Sequence, residues 1–245
     1  MTPFEIIVFD EIDSTNAEAA RRAARGEVWP VCLVGLRQTA GRGRRGRAWE
    51  TASGNLAATF LFTSDRPLSE IAQLSFVAAL ASAEVIDRYV PPSLVSLKWP
   101  NDPMVAGIKT GGILLESGQV QGWPTWVAVG IGINLAWSPQ QSERPATNLA
   151  AHRPGGAPNV LEAVEQLRAA FQRGLATWTQ GGFAPIARAW TARAHGLGEP
   201  CVARLTDETV EGVAEGLDPD GALRLRLPDG MLRRITAGDV FFGGS

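Results

Sequence analysis

Short runs of apolar residues, bounded by polar residues, glycine or proline, recur along the first 135 residues of the chain. Runs of this length and composition are typical of strands buried on both faces of a sheet. The last run contains Gly130 and Gly132, and glycine inside a strand indicates that another group approaches the backbone closely there. Strands are predicted over residues 5–9, 31–36, 56–62, 94–99, 112–116 and 126–135.

A different spacing of apolar residues marks the helices. The alanine-rich segment that ends at Arg25 contains strong helix formers throughout, and Thr15 with Glu18 three positions later predicts a capping box at its start. Apolar residues recur every three or four positions over residues 69–89, which predicts an amphipathic helix that ends before a pair of prolines. Further helices are predicted over residues 159–178 and 184–193.

The pattern changes after Gly196. The stretches 218–221 (Asp-Pro-Asp-Gly) and 228–230 (Pro-Asp-Gly) are strong turn signals. Between them, leucines at every second position alternate with arginines, as expected of a strand with one buried face. The sequence therefore predicts a large α/β (α+β) domain over residues 1–195 and a small all-β domain over residues 196–245.

The composition is that of an ordinary globular protein of 245 residues, with 45% hydrophobic and 20% charged residues. The N-terminus has no basic flank leading into an apolar segment, and no uninterrupted apolar stretch approaches the roughly 18 residues of a membrane span. We therefore expect a cytoplasmic protein that does not enter a membrane.

Cysteine and histidine are too few for several kinds of chemistry. The two cysteines, Cys32 and Cys201, lie far apart in apolar runs, whereas disulfide frameworks and zinc sites need several at short spacing. We expect both to be small buried core residues. The two histidines, His152 and His195, have no partner at the spacing of a metal site or proton relay, so we expect loop residues without a catalytic role.

Positive charge is concentrated in the segment GRGRRGR at positions 41–47. It holds four arginines, so the rest of the chain carries about −6 of the net charge of −2 (−2 minus 4). Its glycines let backbone amides approach a ligand, and its guanidinium groups donate paired hydrogen bonds to phosphate or carboxylate. The segment indicates an anion site. The alternatives are a solvated basic loop, a nucleic-acid contact and an unrelated arginine-rich tail. The two predicted strands on either side of the segment argue against a tail, and the acidic balance elsewhere disfavours a nucleic-acid contact.

Two further motifs carry candidate chemistry. Lys98-Trp-Pro-Asn-Asp102 precedes Lys109, which stands just before a glycine pair that opens a strand, an arrangement that would hold its ammonium group near a cavity. Asp102 is open to three interpretations: a turn residue, a carboxylate facing a metal, or an ion-pair partner of Lys98 or an arginine. Residues 130–134 end in Asn134, a donor and acceptor, and their glycines fit either a ligand against the sheet or close helix packing.

The order of these motifs resembles that of the biotin protein ligases. The matching segments are Ser14-Thr15-Asn16, residues 38–47 with Trp49, residues 98–102, Lys109 with residues 112–114, and residues 130–134. The resemblance covers nearly the whole chain, and several motifs in the same order are more specific than any one of them. It implies a mixed β-sheet catalytic domain with helices mainly on one face, followed by a small C-terminal SH3-like β-barrel.

The resemblance also implies roles for individual residues. The implied catalytic residues are Lys109 and Arg42, with Lys109 contacting both the biotin carboxylate and the α-phosphate. The implied biotin-binding residues are Ser14, Thr15, Asn16, Gln38, Arg42, Gly43, Arg44, Lys109 and Gly112. The implied ATP-binding residues are Arg44, Arg45, Arg47, Trp49, Lys98, Asn101 and Asn134, and Asp102 is the implied Mg²⁺ contact.

The implied activity is ATP-dependent formation of biotinyl-5′-AMP and transfer of biotin to a lysine of a biotin carboxyl carrier protein domain of a carboxylase. ATP and biotin are then the substrates, and Mg²⁺ would offset the charge of the pyrophosphate leaving group. We expect the 41–49 segment to close over the ligands and exclude water. Many bacterial relatives carry a DNA-binding domain before the catalytic unit; here the Ser-Thr-Asn motif begins at residue 14, so we expect no DNA binding.

Three other functions compete with this interpretation. A lipoate or octanoate ligase or transferase would share the fold and the acyl-adenylate logic, and the arginine-dense segment and C-terminal domain favour biotin over it. A nucleic-acid-binding module would show affinity that falls steeply with salt, and a non-catalytic biotin-binding protein would not need Lys109. A homodimer is a weaker expectation, because an exposed sheet edge can serve a second subunit as well as the carrier.

Overall fold

The structure is a computed structural model and describes residues 2–119, 124–139 and 145–243. The predicted strands and helices are present with ends shifted by a few residues, except that the helix predicted over residues 69–89 forms two helices. The strands are β1 Glu5–Phe9, β2 Val31–Gly35, β3 Leu56–Ser64, β4 Val95–Lys98, β5 Asp102–Val105, β6 Ile108–Lys109, β7 Gly111–Gly118, β8 Thr125–Ile133, β9 Pro200–Arg204, β10 Thr209–Leu217, β11 Leu223–Arg226, β12 Leu232–Ile235 and β13 Asp239–Phe242. The helices are α1 Thr15–Ala24, α2 Leu68–Ile71, α3 Leu74–Ile86, α4 Val160–Gly181 and α5 Phe183–Thr191.

A five-stranded mixed sheet forms the centre of the molecule, in the order β1-β2-β3-β8-β7. Strands β1 and β2 are parallel, and the other pairs are antiparallel. Alternate residues of β2 face different layers: Cys32 and Val34 pack into the main core with α3, α4 and α5, whereas Val31 and Leu33 pack with Ala19 of α1. The prediction of a mixed sheet with helices mainly on one face is confirmed.

The apolar segment 68–86 differs from its prediction in two ways. It forms two helices, α2 and α3, instead of one, and the buried residues of α3 include Ala78, Ala79, Ala81 and Ser82, which surround the helix axis. The prediction of an amphipathic helix is therefore wrong. Helix α3 has no solvent-facing side of that kind, because α4 and α5 pack against it as well as β7 and β8. The segment is long and apolar enough to cross a membrane by composition alone, yet 67% of it is buried inside the protein, as in a core helix.

The start of α1 also differs from its prediction. The N-cap is Ser14, whose side chain accepts a hydrogen bond from the backbone N–H of Ala17, so the cap lies one residue before the predicted Thr15. Glu18 does not complete a capping box; its carboxylate pairs with Arg21 and Arg22 on the same helix. The cap leaves the side chain of Thr15 to point into the molecule, where it is buried.

The C-terminal residues form a second five-stranded sheet, entirely antiparallel, in the order β12-β11-β10-β9-β13. This confirms the small all-β unit, while the boundary between residues 195 and 196 stays a prediction. The unit is fastened to the rest of the chain by buried contacts. The indole N–H of Trp99, which follows β4 of the three-stranded sheet β4-β5-β6, donates to the carbonyl of Gly221 at 3.1 Å.

Candidate active site

A pocket lies on the side of the central sheet that carries α1, and it gathers most of the residues predicted to bind ligands. Its empty space, which includes the open mouth, is about 760 Å³. The walls come from the start of α1, the 38–49 segment, the end of β6, the strands β7 and β8, and the C-terminal sheet. The predicted site residues that line it are Ser14, Thr15, Asn16, Gln38, Arg42, Gly43, Arg44, Arg47, Trp49, Asn101, Asp102, Lys109 and Gly112.

The floor of the pocket is built from glycines on neighbouring strands. Gly112 of β7 pairs with Gly132 of β8, and Gly130 faces the same side two residues earlier. A β-carbon on Gly130 would lie 2.0 Å from Oδ1 of Asn16, and one on Gly132 would lie 2.5 Å from the ring of Trp49. The predicted close approach to β8 is therefore confirmed, and two side chains of the protein itself make it.

One end of the pocket is a network of neutral polar side chains. Oε1 of Gln38 accepts hydrogen bonds from the backbone N–H of Thr15 at 2.9 Å and from its hydroxyl at 3.2 Å. Nε2 of Gln38 donates to the hydroxyl of Thr51 at 2.9 Å. The hydroxyl of Thr59 lies 2.8 Å from Oγ1 of Thr15 and 2.7 Å from Oδ1 of Asn16. These bonds fix each side chain in one orientation, as a site for a neutral ligand requires.

The members of this network differ in how much bonding capacity they keep for a ligand. Nδ2 of Asn16 donates to the carbonyl of Leu114 at 3.2 Å and to Oε2 of Glu116 at 2.8 Å, so both of its hydrogens are used. The hydroxyl of Ser14 acts only as an acceptor for the helix backbone among the described residues. Ser14 and the second Nε2 hydrogen of Gln38 are thus the donors placed to meet a ligand.

The arginine-rich segment folds as a narrow hairpin beside this network. The backbone N–H of Gly43 donates to the carbonyl of Arg47 at 2.7 Å, and that of Trp49 donates to the carbonyl of Gly41 at 2.9 Å. A β-carbon on Gly41 would lie 2.2 Å from the carbonyl oxygen of Trp49, so only glycine fits there. At the tip, Arg45 adopts the left-handed conformation, with φ of 57°.

The arginines of the hairpin reach different parts of the pocket. The guanidinium of Arg42 lies 3.3 Å from Oε2 of Glu116, the same oxygen that accepts from Asn16. The guanidinium of Arg44 donates to Oδ1 of Asn101 at 3.2 Å. Burial lowers the pKa of Arg44, an effect that the carboxylate of Asp239 opposes. Positive charge therefore begins beside the neutral network, which Arg42 adjoins through Glu116, and extends along the pocket to Asn101, which Arg44 contacts.

Lys109 enters the pocket from the end of β6. Its Nζ lies 2.6 Å from Oδ1 of Asp102, and Nζ of Lys98 lies 3.4 Å from the other oxygen of the same carboxylate. Lys109 also lies over the ring of Trp49, 5.8 Å from its centre. The ammonium group is therefore held between a carboxylate and an aromatic ring at the pocket wall.

Three predicted ATP-binding residues do not line the pocket. Arg45 lies at the hairpin tip, 3.6 Å from Asp239, and Lys98 lies behind Asp102. Asn134 is buried, and its Nδ2 donates to the carbonyl of Thr147 at 3.1 Å. Their proposed contacts with ATP stay predictions.

Four further residues complete the site and have no place in the sequence motifs. They are Thr51, Thr59, Glu116 and Asp239. A threonine in the apolar strand β3 and a glutamate in β7 were visible signals of a polar face. Asp239 carried no signal, because it lies almost 200 positions from the hairpin that it contacts.

The carboxylates of the site offer little to a metal ion. Within the described ranges, no three His, Cys, Asp or Glu side chains are grouped so as to hold one. Asp102 has a lysine at each oxygen, and Asp239 has two arginines. A divalent cation at either carboxylate would have to displace these cationic side chains. Asp102 and Asp239 therefore do not form a protein site for Mg²⁺.

The sequence matches two protein families, one over the part that forms the central sheet and the other over the C-terminal sheet. Residues 9–134 match the biotin/lipoate A/B protein ligase family, and residues 196–243 match the biotin protein ligase C terminal domain. The first match includes the neutral network, the arginine hairpin, Lys109 and β8. The second covers the sheet that carries Asp239.

Individual proteins resemble the chain over nearly its full length. It is 42% identical to a biotin--[acetyl-CoA-carboxylase] ligase of Paracoccus denitrificans, over 95% of this chain and 98% of that one. It is 31% identical to the enzyme of the same name from Mycobacterium tuberculosis, over 96% and 88% of the two chains. The structure of the biotin protein ligase from Aquifex aeolicus in complex with biotin and ATP superposes with a TM-score of 0.82 and 26% identity, over 98% and 99% of the chains.

Proposed function

Because the chain belongs to the biotin protein ligases, within the biotin/lipoate A/B protein ligase family, we propose that its pocket joins biotin and ATP to form biotinyl-5′-AMP. The biotin then passes to a lysine amine of a biotin carboxyl carrier protein domain. The observation that carries the proposal is that one pocket has a rigid neutral network at one end and a row of cationic side chains that begins beside this network and extends away from it. Biotin has a matching arrangement, with a neutral ureido head and an anionic carboxylate.

The neutral end receives the ureido head. Ser14 and Gln38 donate to its carbonyl or lie against its N–H groups. Thr15 holds Gln38 in place, and Asn16 is itself held by Leu114 and Glu116, through the hydrogen bonds described above. Gly43 and Gly112 let the hairpin and β7 approach the ligand without a side chain. Because the hydrogen bonds of this buried network are already formed, its side chains lose little further conformational entropy when biotin binds.

The reaction takes place at the cationic end. An oxygen of the biotin carboxylate attacks the α-phosphorus of ATP, the bond from that phosphorus to the bridging oxygen of the β-phosphate breaks, and pyrophosphate leaves. The two reactants are anions, so positioning and fixed positive charge are what the protein supplies. Lys109 touches both the carboxylate and the α-phosphate, and Arg42 holds the carboxylate from the hairpin side.

The nucleotide occupies the space between Arg44, Arg47 and Trp49. The two guanidinium groups donate to phosphate oxygens in pairs, and the indole ring of Trp49 packs near the adenine. Asn101 contributes by holding Arg44, with which it shares a hydrogen bond of 3.2 Å. Arg45, Lys98 and Asn134 lie outside the pocket lining and contact the nucleotide from its periphery.

Mg²⁺ enters this scheme as part of the ATP complex. Bound to the phosphates of ATP, it would offset the negative charge of the pyrophosphate. Since Asp102 is engaged by two lysines, we assign no coordination to it. Its role is to hold Lys109.

The second half-reaction follows in the same pocket. The lysine amine of the carrier attacks the carbonyl carbon of the mixed anhydride, AMP leaves, and the amine proton is released. The hairpin covers the anhydride and excludes water until the carrier arrives. The carrier docks by aligning a strand with an edge of the central sheet, and β7 is the edge next to the pocket.

Mass spectrometry of a carrier domain tests the whole sequence of reactions. The chain is incubated with ATP, Mg²⁺, biotin and a recombinant biotin carboxyl carrier domain, and the matched control is the carrier with its acceptor lysine changed to arginine. We expect the mass of one biotinyl group on the acceptor lysine and none on the control. An unmodified carrier lysine in the presence of released pyrophosphate would contradict the transfer step alone.

A further inference from the structure

Asp239 brings the C-terminal sheet into the pocket. It is the first residue of β13, its side chain is 11% exposed, and it lies in the pocket lining together with the arginine hairpin. Its Oδ2 is in hydrogen-bond contact with the guanidinium of Arg47 and lies 3.6 Å from that of Arg45. One carboxylate thus meets the hairpin at two of its arginines.

The backbone around Asp239 is fixed by the sheet. The adjacent Gly238 packs closely, since a β-carbon there would lie 2.9 Å from the side chain of Leu205, and Asp239 pairs with Arg204 of β9. The carbonyl of Gly238 accepts from the guanidinium of Arg44 at 3.4 Å. Val240, the next residue, is buried in the core. The hairpin therefore rests against a rigid element, as the precise placement of a binding group requires.

We propose that Asp239 is a positioning residue for ATP, which acts from the C-terminal sheet by holding Arg47 and Arg45 in the orientation in which they meet the phosphates. This inference rests on the proposed function. A guanidinium has five N–H donors in a planar fork, so one guanidinium can contact a carboxylate and a phosphate at the same time. The C-terminal sheet is then part of the nucleotide site.

The asymmetric exposure of the pair supports this role. Arg47 lines the pocket and its side chain is 48% exposed, whereas the side chain of Asp239 is only 11% exposed. An ordinary surface ion pair has two mobile partners and contributes little. Here Asp239 is already fixed by the sheet. When the ion pair forms, conformational entropy is therefore lost mainly by the side chain of Arg47.

Steady-state kinetics of pyrophosphate release test the proposal, with ATP and biotin varied separately. For Asp239→Asn we expect the KM for ATP to rise by about tenfold, the scale of one lost charge-assisted hydrogen bond, while the KM for biotin changes by less than about twofold. Glu208→Gln is the matched control, since it removes the carboxylate of a Glu208–Arg233 pair in the same sheet that lies outside the pocket lining. We expect it to leave both KM values unchanged.

A double variant separates positioning from a general structural effect. If Asp239 acts through Arg47, Asp239→Asn adds less than about threefold to the KM for ATP in an Arg47→Gln background, instead of a further tenfold. Independent, multiplying effects would overturn the proposal. An ATP KM within twofold of that of the unaltered chain in Asp239→Asn, or an equal rise in the KM values for ATP and biotin, would also overturn it.

Limited proteolysis gives a readout that needs no catalysis. Trypsin cleaves after arginine, and we expect Asp239→Asn to accelerate cleavage after Arg45 and Arg47 by at least about fivefold, because the hairpin opens more often. Arg47→Gln changes a partly exposed side chain outside the core, and it should likewise accelerate cleavage after Arg45. Unchanged cleavage rates in both variants would overturn the proposal. If the unaltered chain releases no pyrophosphate with biotin, the proposed function fails, while the cleavage rates still decide whether Asp239 holds the hairpin.

Discussion

Nζ of Lys109 lies 2.6 Å from Oδ1 of Asp102, a carboxylate whose side chain is 5% exposed. That oxygen accepts no directional hydrogen bond from the described residues, so the ammonium group is what offsets its charge. Lys98 lies 3.4 Å from the other oxygen. The carboxylate fixes the position of Lys109 at the pocket wall. Asp102, Lys98 and Lys109 together have a net charge of about +1, which attracts anionic ligands.

Lys109→Gln should abolish most of the adenylate formation while the fold persists. The glutamine side chain keeps much of the length and polarity but loses the charge that we expect to stabilise the carboxylate and the α-phosphate, and the loss of one such group costs about 100-fold or more in rate. Biotin-dependent pyrophosphate release measures the rate, and thermal unfolding followed by circular dichroism serves as the control. A turnover within twofold of the unaltered chain would remove Lys109 from the mechanism.

Asp102→Asn should lower kcat without a comparable loss of biotin affinity. Asparagine preserves the shape of the side chain but leaves two ammonium groups without their shared counter-ion, so we expect Lys109 to lose its fixed position. The rate should fall by about tenfold or more, and the free energy of unfolding by about 1–3 kcal/mol. Kinetics at saturating ATP, together with urea denaturation, measure the two effects.

The same variant distinguishes positioning from metal binding. If Asp102 acts only through Lys109, its substitution has little further effect in a Lys109→Gln background, and the Mg²⁺ concentration at half-maximal rate stays the same. A large shift in that Mg²⁺ concentration in Asp102→Asn would instead make this carboxylate a metal ligand.

Gly130→Ala and Gly132→Ala should separate the two ends of the pocket. The first introduces a β-carbon 2.0 Å from Oδ1 of Asn16, and the second introduces one 2.5 Å from the ring of Trp49. Each displaces its neighbour at a cost of about 1–3 kcal/mol. We expect Gly130→Ala to raise mainly the KM for biotin and Gly132→Ala mainly the KM for ATP, so each variant is the control of the other. Equal effects of both on both substrates would argue against the division of the pocket.

The two cysteines should be unreactive in the folded protein. Both are buried, and burial raises the pKa of Cys201 from 9.0 to about 11 and raises that of Cys32 as well. A thiol-specific colorimetric reagent at pH 8 should detect no thiol in the native chain and two after denaturation, or one in Cys201→Ala. Rapid reaction of either thiol in the native chain would contradict the burial.

The raised pKa of Cys201 also sets the direction of a pH effect on stability. The unfolded thiol ionises near pH 9.0, while the folded thiol stays protonated to about pH 11. Unfolding therefore releases a proton in this window, so the contribution of Cys201 to stability is present below pH 9 and is lost as the pH rises. Cys201→Ala should show a shallower loss of stability between pH 9 and pH 11, and an unchanged slope would count against the shift.

The sequence was a good guide wherever local pattern decides the structure. The apolar runs predicted the central strands because both faces of β2 and β3 are buried, and the glycines of β8 predicted the close approach that Asn16 and Trp49 make. The amphipathic prediction for residues 69–89 failed because apolar spacing does not reveal that neighbours surround α3. The cap lies at Ser14 and not at the predicted Thr15, because serine and threonine are similar caps and the capping pattern does not fix the register to one residue.

The remaining part of the site depends on contacts between distant segments. Glu116 gains its role from two partners, Asn16 and Arg42, that lie 100 and 74 positions away. Asp239 meets the hairpin only when the C-terminal sheet packs against the large domain. No spacing rule within one segment contains such information, so these residues could be found only from the structure.

Pyrophosphate release with ATP and Mg²⁺, with biotin, lipoate and octanoate compared as the acid, tests the central claim most directly. The neutral network around Gln38 and Thr15 is matched to a ureido head that the other two acids lack. We predict release that depends on biotin and exceeds the release with lipoate or octanoate by at least about 100-fold, since polar binding sites reject ligands that leave their buried groups unpaired. Release with lipoate or octanoate but not with biotin would contradict the assignment of this pocket to biotin.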